Sequence, residues 1–345
     1  MKRSFENTLL HKAKKNKNDE FYTQSVDIAR ELECYRPTLF KDKVVYCNCD
    51  DPEISNFVQY FVDNFETLGL KKLIASCYRT DTNPNGKAFI YAGTDTDKEK
   101  FLSKDFITLS SDGDFRGPEC LELLEQSDIV VTNPPFSLFR DFVAIMMGFG
   151  KQFLAIGNVN VITYKEIFPL IKDNQVWLGN GLGRAISGFI VPEHYELYGT
   201  EARIDKDGNR IVATNGCLWL TNLDLEKRHE DINLTKTYYG NEHHYPHYDN
   251  FDGINVNKTS DIPVDYEGYM GVPITFLHKH NPSQFEIVKF RKGDDGKDLS
   301  INGKCPYFRI IIKRNNGESS DNNTSTLSTE ESAVREPKAV QGLLW

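Results

Sequence analysis

The chain contains 345 residues, of which 39% are hydrophobic, and it has a formal net charge of −9 at pH 7. This length and content allow one large α/β domain with a smaller appendage, and they exclude a fibrous or mainly disordered chain. No apolar run approaches the roughly 18 residues that a membrane span requires, and charged residues follow Met1 directly. We therefore expect a cytoplasmic protein without membrane contact.

The charge is unevenly distributed, which matters because a net negative charge counts against nucleic-acid binding. Residues 2–17 contain six Lys or Arg and one acid, and residues 284–314 contain eight Lys or Arg and four acids. Such segments can neutralise phosphates, although charged runs are more often solvated surface. We interpret residues 1–20 as a basic N-terminal arm.

The seven cysteines indicate neither a disulfide framework nor a metal site. Their number is odd, and several fall in strand-like runs where a small buried side chain is expected. Cys47 and Cys49 form a CxC pair, but no second pair stands at a metal-ligand spacing. The adjacent His243 and His244 are interpreted as solvent-facing, so we expect no bound metal.

Strand-like apolar runs alternate with segments of helical periodicity between residues 43 and 222. This alternation predicts a doubly wound α/β fold, with a mostly parallel sheet covered by helices on both faces. The predicted strands are Val44–Cys47, Leu73–Cys77, Phe106–Leu109, Ile129–Thr132, Phe153–Ile156, Val176–Leu178 and Leu218–Leu220. We assign residues 21–222 to this domain.

Helix starts between the strands are predicted from capping residues. Asp51 is a good N-cap and Pro52 suits the first helical position, so a helix should follow the first strand directly. Ser137 should cap a second helix, and Thr163 with Glu166 should form a capping box for a third. Apolar residues recur at helical spacing after these caps and are expected to face the core.

The composition changes after Asn222 to irregularly spaced Asn, Tyr, His, Asp and Pro with short strand-like pieces. This pattern predicts a second, smaller and loop-rich module over residues 223–314. From residue 315 the chain is rich in Asn, Ser and Thr and has too few apolar residues to bury itself. We therefore expect residues 315–345 to be a disordered tail.

The most informative motif is Asn133-Pro134-Pro135-Phe136, which follows the apolar strand Ile129–Thr132 directly. In parallel sheets, ligands bind at the carboxyl ends of the strands. Asn-Pro and Pro-Pro pairs also form ordinary stiff turns, and the tetrapeptide alone favours neither interpretation. Its position at the end of a strand in a βα series favours a functional site.

These residue types suit chemistry on the exocyclic amino group of a base. Such an amine is a poor nucleophile because its lone pair is delocalised into the ring, and two hydrogen-bond acceptors would favour its nucleophilic geometry. The side-chain oxygen of Asn133 and the carbonyl of Pro134 can be those acceptors, with Pro134 and Pro135 fixing the backbone. Phe136 offers a flat face, and stacking of a flipped base on an aromatic ring contributes about 1–3 kcal/mol.

The motif and the segments around it resemble the EcoRI-type adenine-N6 DNA methyltransferases. Asn-Pro-Pro-Phe is similar to the catalytic motif of amino-methyltransferases that use S-adenosylmethionine (SAM). The resemblance is carried by this motif and by Lys12-Ala-Lys-Lys, Asp19-Glu-Phe-Tyr-Thr-Gln24, Val44–Asp51, Gly157-Asn-Val-Asn160 and Val272–His278. It implies methyl transfer from SAM to the N6 amino group of an adenine flipped out of double-stranded DNA.

The resemblance also implies a biological role. The enzyme would be the modification partner of a type II restriction system, with GAATTC as a candidate site. A monomer would suffice, because each strand of a palindrome can be modified in a separate visit. Residues 223–314 would then be the target-recognition module, although the sequence identifies no single side chain that reads a base.

The resemblance places Phe21, Tyr22 and Thr23 against the methionine part of SAM. The turn after the first strand, with Asn48 and Asp50, is expected to meet the amino acid end of SAM. This turn lacks the glycine-rich loop of the wider methyltransferase pattern. Its two acids would repel the SAM carboxylate, while the following helix N-terminus would attract it.

The ends of the second and third predicted strands are expected to line the adenosine site. The second ends in Cys77-Tyr78 without the carboxylate that usually grips a ribose, so it should contribute main chain or packing only. The third leads to Gly113-Asp114-Phe115, which is similar to the family's site for the SAM adenine, so the resemblance implies that Asp114 accepts from the adenine amino group. An Asp-Gly pair also forms surface turns, which is the alternative interpretation.

Two rival functions remain open. An amino-methyltransferase acting on RNA or on a protein glutamine would use the same chemistry. A non-catalytic DNA-binding relative would keep the fold without SAM, and the missing glycine loop favours it, whereas the intact Asn133-to-Phe136 motif argues against it. Binding of SAM by the purified protein distinguishes the second rival from the enzymes.

Overall fold

The computed structural model describes residues 22–79, 84–182, 186–191, 193, 197, 202–206, 208–212, 216–291, 299–305 and 308–315. The predicted N-terminal arm, Phe21 and residues 316–345 of the predicted tail lie outside these ranges. Within the described chain, no helix has both the length and the apolar character needed to cross a membrane.

The secondary structure is defined as follows. The strands are β1 (Tyr22–Thr23), β2 (Val44–Cys47), β3 (Lys72–Cys77), β4 (Lys87–Tyr91), β5 (Ile107–Thr108), β6 (Ile129–Thr132), β7 (Gln152–Asn158), β8 (Trp177–Leu182), β9 (Phe189–Val191), β10 (Ala202–Ile204), β11 (Arg210–Val212), β12 (Cys217–Thr221), β13 (His247–Tyr248), β14 (Phe251–Asn255), β15 (Met270–Val272), β16 (Phe285–Arg291) and β17 (Arg309–Arg314). The α-helices are α1 (Ser25–Leu32), α2 (Asn56–Asp63), α3 (Phe65–Leu68), α4 (Asp95–Ser103), α5 (Pro118–Glu125), α6 (Phe139–Gly148) and α7 (Phe168–Lys172). Short 3-10 helices span Pro37–Leu39, Phe136–Leu138, Val159–Thr163, Glu226–His229, Glu242–His244, Thr259–Asp261 and Ile274–Lys279.

An eight-stranded sheet with the order β5-β4-β3-β2-β6-β7-β12-β8 forms the centre. The strands β3, β2, β6 and β7 run parallel, whereas the pairs β5-β4, β4-β3, β7-β12 and β12-β8 are antiparallel. The expectation of a mostly parallel sheet is therefore correct only for the four central strands. Strand β4 is absent from the predicted strands, and the connection over residues 78–86 is shorter than the dozen or so residues that a parallel crossover needs.

The parallel strands are buried on both faces, which explains their continuous apolar sequence. In β2, Val44 and Tyr46 belong to the same core cluster as Phe142 of α6. The alternate residue Val45 belongs to a second cluster with Phe57 of α2. Because successive side chains of a strand point to opposite faces, α6 and α2 cover opposite faces of the sheet.

The helix after β2 starts later than the capping pattern predicts. Its first residue is Asn56, and the N-cap is Ser55, whose hydroxyl accepts from the Phe57 amide. Asp51 caps only a separate turn: its carboxylate accepts from the Glu53 amide at 2.9 Å and its carbonyl accepts from the Ser55 amide at 2.8 Å, but this turn does not continue into α2. A bond of this kind satisfies a free amide at the start of a turn but does not by itself extend the turn into a helix.

The other two predicted caps are also wrong. Ser137 lies inside the 3-10 helix Phe136–Leu138, which precedes α6. Thr163 ends the 3-10 helix Val159–Thr163, and its hydroxyl donates backward to the Asn160 carbonyl at 2.8 Å. A hydroxyl used in this way within its own turn does not start the next helix.

Two smaller sheets complete the described chain. Strands β1, β9, β11 and β10 form an antiparallel sheet in that order, called the small sheet below. Strands β13, β14, β15, β17 and β16 form a C-terminal sheet in that order. Its Ile287 and Ile312 belong to the same core cluster as Ala155 and Leu220 of the central sheet. The C-terminal sheet therefore shares a continuous core with the central sheet.

Candidate active site

A cavity of about 410 Å³ lies at the carboxyl ends of the neighbouring strands β3, β2 and β6. Small-molecule sites typically have volumes of about 300–1,000 Å³. The cavity wall contains most of the predicted site residues, namely Tyr22, Thr23, Asn48, Asp50, Asp114, Asn133 and Pro135. Of the other predicted residues, Pro134 and Phe136 follow in the same turn without lining the cavity, and Phe21 lies outside the described residues.

The turn after β6 carries the Asn-Pro-Pro-Phe motif. The chain leaves the sheet at Thr132, and the motif ends at the start of the 3-10 helix Phe136–Leu138. Pro134 is buried, whereas Asn133 and Phe136 are half-buried. The Phe136 ring packs edge-on against Phe189 of the small sheet, with centroids 6.2 Å apart and an interplanar angle of 68°. The motif thus joins an amide at the cavity to an aromatic ring that is packed against a neighbour.

Asp50 connects the turn after β2 to the elements on either side. One carboxylate oxygen accepts from the Ser55 hydroxyl at 2.8 Å, and the other accepts from the Thr132 hydroxyl at 2.6 Å. Burial raises the pKa of Asp50 to about 6, although these two hydrogen bonds favour the charged form. Asp50 therefore lines the cavity while both of its oxygens are engaged within the protein.

Asn48 and Thr23 belong to the cavity wall, and each has a buried side-chain oxygen. Their side chains are buried, and neither Asn48 Oδ1 nor Thr23 Oγ1 has a hydrogen-bond partner among the described residues. A buried acceptor without a donor costs about 1–3 kcal/mol, so these atoms are suited to a ligand that brings its own N–H groups. The ammonium group of an amino acid is such a ligand.

Asp114 is held at the cavity by its neighbour Arg116. The guanidinium donates to both carboxylate oxygens, with the shortest distance 2.6 Å from Nη2 to Oδ2, and this pairing lowers the pKa of Asp114. The preceding Gly113 has φ +77°, and a Cβ there would lie 2.2 Å from the Cys77 carbonyl oxygen. Only glycine allows the loop to approach the end of β3 so closely.

Some residues of the cavity wall were missed by the sequence analysis. Asn56 donates from Nδ2 to the Thr23 carbonyl at 2.7 Å and so holds β1 against α2. Asp51 also belongs to the wall, and its Oδ2 lies 3.5 Å from Nζ of Lys87, which is outside the wall in the unpredicted strand β4. The apolar run of β4 was a usable signal for Lys87, whereas nothing local in the sequence marks Asn56.

Within the described chain, the cavity wall has neither a cysteine with a lowered thiol pKa nor a group of side chains arranged to bind a metal ion. Cys49 and Cys77 line it, but burial raises the pKa of Cys77 to about 12 and that of Cys49 well above its ordinary value. Both thiols are therefore neutral at pH 7. Among the described residues, no group of three or more His, Cys, Asp or Glu side chains is arranged to hold a metal ion.

Comparison with known proteins identifies the family. Residues 9–316 match the family described as adenine-specific methyltransferase EcoRI. The chain is 63% identical to the type II methyltransferase M.EcoRI of Escherichia coli over 91% of this chain and 98% of that protein. It is 40% identical to the type II methyltransferase M.MpnI of Mycoplasma pneumoniae, over 88% of this chain and 97% of that protein. No solved structure shows a significant match. The chain therefore belongs to the EcoRI family of adenine-specific methyltransferases and is an adenine-specific DNA methyltransferase.

Proposed function

We propose that the cavity binds SAM and that the enzyme methylates the N6 amino group of an adenine flipped out of double-stranded DNA. One observation carries this proposal. Asn133 and Pro135 of the predicted catalytic motif share a single cavity wall with Tyr22, Thr23 and Asn48 of the predicted cofactor site. A methyl donor and an acceptor amine can therefore meet at this edge of the sheet.

The proposed cofactor site uses the acceptors described above. Asn48 Oδ1 and Thr23 Oγ1 would accept from the SAM ammonium, and Asp50 would favour the same cation at a pH above its pKa of about 6. Asp114 would accept from the amino group of the SAM adenine. Phe21 and Tyr22 would lie against the methionine chain. When bound, SAM supplies an electrophilic methyl group.

The protein's part in the transfer is to position the amine. Asn133 Oδ1 and the Pro134 carbonyl would each accept one N–H of the adenine amino group and direct its lone pair toward the methyl group. Phe136 would stack on the flipped base and offset part of the cost of unstacking it from the duplex. A strong base is unnecessary, because the amine becomes acidic only as the methyl group arrives.

The finer architecture is part of the same proposal. We assign the central sheet to the doubly wound methyltransferase type, supported by helices α2 and α6 on its opposite faces. We assign residues 223–314 to target recognition. In this assignment the C-terminal sheet is the rigid base of the module, because it shares the core of the central sheet.

The biological proposal follows from the relatives. M.EcoRI is named a type II methyltransferase, so we propose that this enzyme modifies DNA in a type II restriction system, with GAATTC as its site. The enzyme would act as a monomer in the cytoplasm, on one strand of the palindrome at a time. Sedimentation of the protein with and without a GAATTC duplex tests the monomer, and two protein copies on one duplex would contradict it.

The proposed reaction is tested by supplying SAM with a labelled methyl group to three substrates in parallel: double-stranded DNA, RNA and a protein mixture. The proposal expects label in DNA only, recovered after digestion as N6-methyladenine. Label in RNA or protein instead would keep the amino-methyltransferase chemistry and overturn the substrate. Failure to bind SAM would favour a non-catalytic relative.

A further inference from the structure

We propose that Phe189 is a positioning residue for the reaction, which fixes the ring of Phe136 for the flipped adenine. The inference rests on the proposed role of Phe136. The edge-on contact between the two rings crosses from the small sheet to the catalytic turn. Phe189 belongs to no segment of the sequence that carries the predicted chemistry.

The two rings differ in their freedom. Phe189 is fully buried, whereas Phe136 is only half-buried. A centroid distance of 6.2 Å and an angle of 68° are within the favoured edge-to-face arrangement of aromatic pairs. The buried Phe189 ring therefore restricts the side-chain torsions of the more exposed Phe136 ring.

The backbone of Phe189 is tied to the segment that lines the cofactor cavity. In the register of β1 and β9, Phe189 stands directly opposite Thr23. Gln24 reinforces this pairing, because its Nε2 donates to Ser187 Oγ and to the Gly188 carbonyl, both at 2.8 Å. Asp27 of α1 accepts from the amide and the hydroxyl of Ser187, also at 2.8 Å.

A short chain of contacts thus joins the cavity to the catalytic ring. Asn56 holds Thr23 at the cavity wall, Thr23 pairs with Phe189, and Phe189 packs against Phe136. Loss of the Phe189 ring removes its contact with Phe136 but leaves Thr23 held by Asn56. We therefore expect a defect in the placement of the flipped adenine and not in SAM binding.

The test compares Phe189→Leu with Phe61→Leu, a matched loss of a fully buried ring in the same core cluster without contact to Phe136. Single-turnover methylation, SAM affinity and the fluorescence of 2-aminopurine at the target position are measured for both. Phe189→Leu is expected to lower the methylation rate and the fluorescence enhancement on the order of tenfold, with SAM affinity within about twofold of wild type. Equal methylation rates and fluorescence in the two variants would overturn the inference.

A second variant keeps the test decisive if Phe189→Leu does not fold. Gln24→Ala removes the side-chain bonds to Ser187 and Gly188 but leaves the core intact, and Gln59→Ala on the exposed face of α2 is its control. Gln24→Ala should reduce methylation and fluorescence in the same direction by a smaller factor, and no change relative to Gln59→Ala overturns the inference. A wild-type enzyme that fails to methylate adenine refutes the proposed function itself, and this inference with it.

Discussion

The hydroxyl of Thr132 donates a 2.6 Å hydrogen bond to the carboxylate of Asp50. Thr132 is the last residue of β6 and immediately precedes Asn133, while Asp50 belongs to the turn after β2. Both side chains are buried, so this bond is shielded from water. The two turns that carry the proposed cofactor and catalytic groups are therefore fixed to one another beneath the cavity.

Replacing Thr132 by Val should destabilise the protein and slow methylation. The change keeps the side-chain shape but leaves a buried Asp50 oxygen without its donor, at an expected cost of about 1–3 kcal/mol. Unfolding in urea measures the stability, and single-turnover methylation measures the rate. Thr132→Ser retains a hydroxyl and is expected to recover most of both. Wild-type stability and rate in Thr132→Val would show that the bond contributes little.

Asn133→Ala should lower the rate of methyl transfer without lowering SAM affinity. The variant loses one of the two acceptors proposed for the adenine amine, so the rate of methyl transfer is expected to fall by on the order of a hundredfold or more. SAM affinity, measured by calorimetry without DNA, should stay close to wild type. An equal loss of SAM binding and rate would mean that the catalytic group has been misplaced.

Asn48→Ala should have the opposite signature. It removes an acceptor proposed for the SAM ammonium, and hydrogen bonds to charged groups contribute about 1.5–3 kcal/mol, so SAM affinity should fall by about tenfold or more. Asn64→Ala, at the end of α2 and outside the cavity wall, is the control. Unchanged affinity in Asn48→Ala would remove Asn48 from the cofactor site.

Glu31 of α1 should make stability depend on pH. Burial raises its pKa to about 7 from an ordinary 4.5, although the Asn180 amide and the Tyr35 hydroxyl donate to it. The folded protein therefore binds the Glu31 proton more tightly than the unfolded chain between pH 4.5 and 7, and the free energy of unfolding falls as the pH rises through this window.

The variant Glu31→Gln keeps an acceptor oxygen and removes the titration. We expect it to be more stable than wild type at pH 8 by on the order of 1–3 kcal/mol, with a smaller difference at pH 5. Urea unfolding at the two pH values provides the comparison. If the free energy of unfolding of the variant changes between pH 5 and pH 8 as much as that of the wild type, the pH dependence belongs to other groups.

Removal of residues 316–345 should leave methylation and SAM binding intact. The segment is strongly polar, and the family match ends at residue 316. The truncated and full-length enzymes are compared in the same methylation assay at equal concentration. A loss of activity on truncation would show that the tail contributes to DNA binding or to the fold.

The sequence predicts the central buried strands and the residues that follow them most accurately. The boundaries of β2 and β6 agree with the predicted strands Val44–Cys47 and Ile129–Thr132, because both strands are buried on two faces and have no polar interruptions. The position of Asn133 at the end of β6 follows from the same signal. Most predicted site residues consequently meet at the cavity.

The sequence predicts poorly where distant contacts decide the pairing and where two nearby residues could each cap a helix. Pairing of β1 with β9 depends on residues more than 160 positions apart, such as Gln24 and Ser187, and no local pattern records it. The N-cap of α2 is Ser55 and not Asp51, because the turn that starts at Asp51 does not continue, and capping preferences alone do not distinguish the two positions. The burial of Asp50 and its two internal hydrogen bonds also depend on the fold, because Thr132 is distant in the sequence.

Methylation of adenine N6 within GAATTC is measured by offering the enzyme SAM with a labelled methyl group and two DNA duplexes that differ only in one hexamer, GAATTC in one and GATATC in the other. We expect N6-methyladenine in the GAATTC duplex and none in the duplex with the rearranged hexamer. Equal label in both duplexes would contradict the proposed site, and label on any group other than the adenine N6 would contradict the proposed chemistry.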